Sequence, residues 1–171
     1  STNAITNDGN SDLQPDWVWI KNRTTSGKDH VLYDSSRGVN KQFYTNNTNA
    51  EDSVSNGLTS FNTDGFTLGD NGGPNASGNH VAWQWKANGG TETHSQTETG
   101  TSLACSTQAN STALFSITTY TGTGTAGDKI THGLGVVPQF HITKRRSGTE
   151  NWLVYHHKNT AAPETDHLLL D

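Results

Sequence analysis

Cysteine occurs once in this chain, at Cys105, and methionine does not occur at all. A single thiol cannot close an intrachain disulfide, so the fold has to stand on packing and hydrogen bonding alone. Apolar runs are equally scarce. Hydrophobic residues make up 29% of the 171 residues, and no stretch approaches the roughly 20 apolar residues needed to span a bilayer. Cations are in deficit, with 11 Lys and Arg against 16 Asp and Glu and a formal charge of −5. That balance argues against sequence-independent nucleic-acid binding, which depends on Lys and Arg neutralising phosphates, and disfavours anionic membrane surfaces for the same reason. No signal pattern opens the chain. Its first residue is Ser rather than Met, as expected of a processed product or a segment of something longer. Windows rich in Ala, Leu, Glu or Lys are also missing. Gly, Ser, Thr and Asn dominate instead, and all four rank low in helix propensity, so the sequence predicts strands and loops.

What is present is a repetition. Pro15-Asp16-Trp17-Val18-Trp19-Ile20-Lys21-Asn22-Arg23 returns as Pro138-Gln139-Phe140-His141-Ile142-Thr143-Lys144-Arg145-Arg146: a proline, alternating large apolar residues, then Lys and Arg. The Ser26-Gly27 turn and the run to Tyr33 are answered by Ser147-Gly148 and the run to Tyr155, with one residue inserted. Two strands joined by a turn are written twice, and such repeats organise everything else.

Alternation with period two marks the strands. They are expected at Trp17 to Asn22, about His30 to Asp34, Lys41 to Thr45, Leu58 to Phe61, Phe66 to Leu68, Val81 to Lys86, weakly at Leu103 to Ser106, and at Ala113 to Tyr120, before the second copy. Asp64-Gly65 between two apolar runs is a hairpin signal. Residues 1 to 14 are expected to form a turn or flexible entry, and Asn88 to Gly100 a long exposed loop. In the second copy Phe140 and Ile142 stand where the first has Trp17 and Trp19, while His141 and Thr143 replace Val18 and Ile20. The tryptophan face is the one apolar in both copies, so Trp17 and Trp19 are expected in the core, and Trp83 and Trp85 likewise buried.

This pattern predicts an all-β fold: an antiparallel β-sandwich of the jelly-roll or lectin-like (concanavalin-like) kind. Residues 1–127 form a first sandwich unit and 128–171 the start of a second, truncated copy. That copy either completes the same sandwich or belongs to a neighbour, since bare strand edges would otherwise aggregate.

Gln14-Pro15-Asp16-Trp17-Val18-Trp19-Ile20-Lys21-Asn22-Arg23, Tyr33-Asp34-Ser35-Ser36-Arg37-Gly38, the run Leu58 to Gly69, and Val81-Ala82-Trp83-Gln84-Trp85-Lys86-Ala87 together carry a resemblance. The chain resembles repeat domains of structural and tail-fibre-like proteins of marine bacteriophages, including cyanophages, and Tyr120 to Pro138 looks like the lead-in to the next unit. The resemblance implies a lectin-like sandwich on a virion appendage, extracellular, with no reaction attached. It also implies homo-oligomeric neighbours and contact with host-surface glycan, without nucleic acid or membrane insertion.

Chemical constellations are weak. Ser77-Gly78-Asn79-His80 spells an esterase class whose residues come from separate blocks, so the contiguous text carries no hydrolase. His156 and His157 are adjacent and would point to opposite faces of a strand, which prevents joint chelation. Glycosidase chemistry needs two carboxylates about 5 to 10 Å apart in a cleft, and Asp64 with Asp70 or Glu92 with Glu98 supply the residue types only. The Asp64 to Asn71 loop is the calcium candidate, through Asp64 and Asp70. The patterns at Asn22, Asn46, Asn75 and Asn110 match N-glycosylation acceptors but arise readily in so Asn-rich a text. Lys21, Arg23, Lys144 and Arg146 sit at strand ends, as anion contacts or as salt bridges and a solubilising rim. The residues chosen for glycan contact are Arg23, Lys28, Arg146 and Trp152, with Trp152→Ala expected to weaken binding more than stability. The expected role is noncatalytic host attachment; a purely architectural block in a fibre or shell, or a glycan depolymerase, are the alternatives.

Overall fold

The computed structural model describes residues 1–171 as fourteen strands without a helix. They are β1 (Asn3–Ile5), β2 (Trp17–Asn22), β3 (His30–Asp34), β4 (Lys41–Tyr44), β5 (Asp52–Ser53), β6 (Leu58–Phe61), β7 (Phe66–Leu68) and β8 (His80–Trp85). These are followed by β9 (His94–Gln96), β10 (Cys105–Asn110), β11 (Phe115–Tyr120), β12 (Phe140–Thr143), β13 (Leu153–His156) and β14 (Leu168–Leu169). The named strands pair antiparallel, and they build one five-stranded sheet, β5-β4-β3-β2-β8, and three of three strands, β1-β7-β6, β11-β10-β9 and β12-β13-β14. Within the central sheet β8 returns by a long connection to lie beside β2, which gives β8-β2-β3-β4 the order of a Greek key.

The central sheet packs one face on β1-β7-β6 and so forms an all-β sandwich. Val18, Ile20, Val31 and Tyr33 point from it onto Leu58, Phe66 and Leu68, with Ile5, Phe61 and Ala82 at the rim. Burying each large apolar side chain contributes about 1.5–3 kcal/mol, so this layer contact is the main hydrophobic source of stability. Its polar members are satisfied: the Tyr33 hydroxyl donates to Gln42 Oε1 at 2.7 Å, and Gln42 Nε2 donates to the Tyr44 hydroxyl at 2.6 Å.

This reverses the expected facing. Val18 and Ile20 are the fully buried apolar residues of β2, Trp17 and Trp19 are half-buried, and Trp83 and Trp85 are each 42% exposed. On β8 it is Ala82 that packs on the core, and Gln84 turns inward too, where it exchanges two amide hydrogen bonds with Asn7 at 2.7 and 3.1 Å. A glutamine therefore sits on the covered face because a second amide meets it there.

The tryptophan side is covered only in part, by the second copy and by β11. Trp152 is 2% exposed and lies edge-on to Phe43 at 5.1 Å, in a cluster with Leu32 that Trp17, Trp19, Ile142 and Leu170 flank. Its indole N–H is shared between the carbonyls of Tyr44 and Asn47, at 3.1 and 3.2 Å. Beside it Glu51 accepts from Arg37 Nη1 at 3.1 Å and from Arg146 Nε and Nη2 at 3.0 and 2.9 Å, while Arg37 also pairs with Asp34 and lies 4.3 Å over the Phe43 ring.

The entry segment also departs from expectation. Asn3, Ala4 and Ile5 pair with Leu68, Thr67 and Phe66, where a flexible lead was expected. A β-carbon on Gly65 would stand 1.9 Å from the Ile5 carbonyl oxygen, so the glycine of the β6–β7 turn also lets β1 cross it closely. The tract read as a long loop holds β9, which pairs with β10. β10 runs later than predicted and β11 starts later, because Asn110 Oδ1 caps the intervening turn by accepting from the Thr112 and Ala113 amides.

Candidate functional site

The central sheet's exposed side carries a ladder of aromatic rings. Trp17 stands opposite Trp85 and Trp19 opposite Trp83 across the β2–β8 pairing, and the Trp19 and Trp83 rings lie 5.4 Å apart. Phe115 extends the ladder, stacked on Trp85 at 6.3 Å with 25° between the planes and edge-on to Trp17 at 6.2 Å. Trp19 is fixed by donating its indole N–H to Thr45 Oγ1 at 2.9 Å. These rings are tied down, which lowers the entropy cost of using them as a contact surface.

A cleft of about 450 Å³ adjoins the Trp85–Phe115 end. Lys86, which follows Trp85, lines it, as does Asn110, the cross-strand partner of Phe115; Gln14, Asn88 and Ser111 supply further polar side chains. Its lining contains no carboxylate. The side chains of Gln14, Lys86 and Ser111 make no hydrogen bond within the chain, and the Asn110 amide spends its oxygen on its own turn while its nitrogen remains open. Donors and acceptors of this kind fix the orientation of a polyhydroxylated ligand.

Buried polar side chains hold the wall of the cleft. Asp16, fully buried, accepts from the amides of Ala87 and Gly89 at 2.7 and 2.9 Å through Oδ2 and from the Ser35 hydroxyl at 2.5 Å through Oδ1. Gln108 completes the clamp: its oxygen accepts from the amides of Asn88 and Gly90 at 3.1 and 3.0 Å, and its nitrogen donates to the hydroxyls of Ser35 and Ser36. Gly89 and Gly90 both have φ near +70°, at 66° and 78°, so the turn itself requires glycine there. Three donors on one buried carboxylate compensate its desolvation without a cation.

The residues chosen from the sequence for glycan contact lie elsewhere. None of Arg23, Lys28, Arg146 and Trp152 lines the cleft. Arg23 is exposed and Lys28 half-buried on the β2–β3 turn, where the Lys28 carbonyl accepts from Lys21 Nζ. Arg146 is engaged by Glu51, and that hydrogen bond raises its pKa. Burial alone would raise Glu51, but the hydrogen bond from Arg146 and the charge of Arg37 outweigh it and hold the carboxyl below its ordinary value. Trp152 fills the core, which overturns the expectation that its truncation acts on binding more than on stability. Asp64 Oδ1 accepts from the Leu13 amide at 3.1 Å. Asp70 Oδ1 accepts from Asn56 Nδ2 at 2.7 Å, a bond that lowers its pKa. The two carboxylates serve separate partners, and no group of three or more His, Cys, Asp or Glu side chains converges in the chain. Asn22, a glycosylation match, is buried.

Sequence reading missed Asp16, Gln108 and the cleft. The one signal was Asp16 itself, a carboxylate beside a strand start that becomes Gln139 in the second copy. The chain belongs to the family described as Domain of unknown function (DUF7483), whose model matches residues 1–171. No curated protein and no solved structure matches this DUF7483 chain.

Proposed function

We propose that this DUF7483 domain is a noncatalytic, lectin-like domain of an extracellular virion appendage, and that it holds a host-surface glycan in the cleft beside Trp85 and Phe115. The appendage part of the reading rests on the resemblance of the Trp17, Leu58 and Trp83 runs to marine bacteriophage repeat domains. The glycan part is carried by one observation: the neighbours of a stacked aromatic pair, Lys86 after Trp85 and Asn110 opposite Phe115, line a cleft with unpaired amide, hydroxyl and ammonium groups. A pyranose ring presents an apolar C–H face and a rim of hydroxyls, and such a pairing of stacking surface with polar side chains matches both. Lys86 adds preference for a carboxylate or sulfate substituent. With no carboxylate in the lining, the cleft can bind a glycosidic bond but has no acid–base pair with which to cleave it.

Retention of soluble host polysaccharide, followed by titration calorimetry, tests the reading. Trp85→Ala should weaken binding about tenfold, the order of one aromatic contact, and Lys86→Gln should act mainly on acidic glycans. A wild-type chain that retains no glycan, or a Trp85→Ala variant that binds as well as wild type, overturns it. The purely architectural role is the second reading. It is favoured by Leu153 and Leu169, paired across β13 and β14 and 45% and 49% exposed. Mass in solution that grows with concentration, without glycan affinity, would select it.

A further inference from the structure

The five-stranded sheet ends differently on its two sides. One edge is β5, two residues long, acidic at Asp52 and facing only Lys41 and Gln42. Short, charged edges of this kind keep sheets from pairing with other chains. The other edge is β8, six residues, His80-Val81-Ala82-Trp83-Gln84-Trp85, paired to β2 along its whole length without a shift in register. It has no Asp, Glu, Lys, Arg or Pro and no bulge to block pairing along its edge.

Its backbone polarity follows from two bonds. The Asn79 carbonyl accepts from the Arg23 amide at 2.7 Å, and the Trp85 carbonyl accepts from the Asp16 amide at 2.8 Å. Odd-numbered positions therefore face β2, and the two-residue alternation of an antiparallel ladder turns the N–H and C=O groups of His80, Ala82 and Gln84 to the open side. No other segment hydrogen-bonds to them.

We propose that β8 is the contact between two copies of this chain, β8 against β8 in antiparallel order about a two-fold axis at Ala82, joining the two central sheets into one. A strand pairing with its own copy about a two-fold is self-complementary by construction. Charge selects the antiparallel order: Lys86 follows β8 directly, and this order holds the two lysines at opposite ends, whereas parallel order would set them side by side. An axis at Ala82 places His80 opposite Gln84 of the second copy. On the aromatic face it sets Trp83 against Val81 of the second copy, covering a ring that is 42% exposed in the single chain. The contact does not depend on glycan binding.

The full chain is examined by sedimentation equilibrium across a roughly thousandfold range of concentration, with hydrogen exchange measured at each point. The mass should rise toward twice that of one chain, and the amides of Ala82 and Gln84 should slow in step with it. Gln84→Pro removes an outward donor and leaves the backbone bonds to β2 in place, with Gln84→Ala as the control for the lost side-chain bonds to Asn7; Trp83→Lys puts a charge on the covered ring position. Each should weaken association about tenfold or more, since the two-fold counts every loss twice. A chain that stays monomeric overturns the proposal, as does association that survives both variants or leaves those amides exchanging freely. Protection of β8 that requires a different protein also overturns it.

Discussion

Trp152→Ala separates a scaffold residue from a recognition residue. The side chain is 2% exposed, packs edge-on to Phe43 at 5.1 Å, and is the one indole whose N–H serves two backbone carbonyls, those of Tyr44 and Asn47. Truncating a buried tryptophan costs about 3–5 kcal/mol, of which the ring pair accounts for about 1 kcal/mol. A domain of this size has about 5–15 kcal/mol in total, so the loss is a large share of it. It falls on one joint, because Trp152 is the only residue of the second copy in the buried cluster with Leu32 and Phe43. Urea unfolding followed by near-ultraviolet circular dichroism should show a loss of about 4 kcal/mol. Hydrogen exchange should show β12 and β13 opening before β2 and β3. Glycan retention, measured where the variant is still folded, should be unchanged. A variant within about 1 kcal/mol of wild type that has lost its glycan would refute both the buried placement and the cleft assignment.

Glu51→Gln should destabilise the chain by about 2 kcal/mol at neutral pH, since the buried Arg37 loses one of its two carboxylates and keeps Asp34 and the Leu32 carbonyl, while the Arg146 pair is partly exposed and worth less. The sign with pH is fixed by the lowered pKa: the wild type holds this advantage above the unfolded carboxyl's value, near 4.3, and loses it as pH falls through the lower folded value. Urea midpoints of variant and wild type should therefore converge in acid, and a gap unchanged at pH 3 would contradict the ion pair's role. Asp16→Ala leaves the amides of Ala87 and Gly89 unpaired and should cost about 3 kcal/mol. It should also speed amide exchange over residues 87 to 90 and weaken glycan retention; unaltered exchange there would show that the clamp does not hold the cleft wall.

Period-two alternation located β2, β3, β6 and β7 at their observed ends, since each runs between turn residues and carries its pattern locally. Which face is buried was not legible from the same pattern. The reasoning that the face apolar in both copies must be the core fails here for a physical reason: that face is where the copies meet. Trp19 and Ile142 both flank the Trp152 cluster, while Val18 and Ile20 lie under a sheet that covers only the first copy. β8 misled for a related reason. Its polar Gln84 is inward because Asn7 satisfies it, and no local signal links residues 77 positions apart. Arg146 and Glu51 are 95 positions apart, so a strand-end arginine open to solvent and one already paired read alike. The cleft was invisible because it is assembled from Gln14, the turn after β8 and the end of β10 with the residue that follows it, which only the tertiary fold brings together.

The two copies are equivalent beyond their text. Val18 faces Tyr33, Trp19 faces Leu32 and Ile20 faces Val31 in the first hairpin, and His141 faces Tyr155, Ile142 faces Val154 and Thr143 faces Leu153 in the second. The residue inserted in the second copy therefore lies in its turn and leaves the register intact. Equivalent positions nevertheless have opposite surroundings. Val31 and Tyr33 are buried beneath β1-β7-β6, whereas Leu153 is 45% exposed and Tyr155 half-buried with its ring against His141 at 4.8 Å. A hairpin packed on both faces is secured by either; one packed on a single face depends wholly on that face. The second hairpin is thus less securely held than the first. Its attachment combines the backbone bonds from Glu51 N–H to the Arg146 carbonyl and from Glu150 N–H to the Thr48 carbonyl with Trp152 and the Glu51–Arg146 pair, the two places where a residue chosen for recognition from the sequence holds the copies together instead.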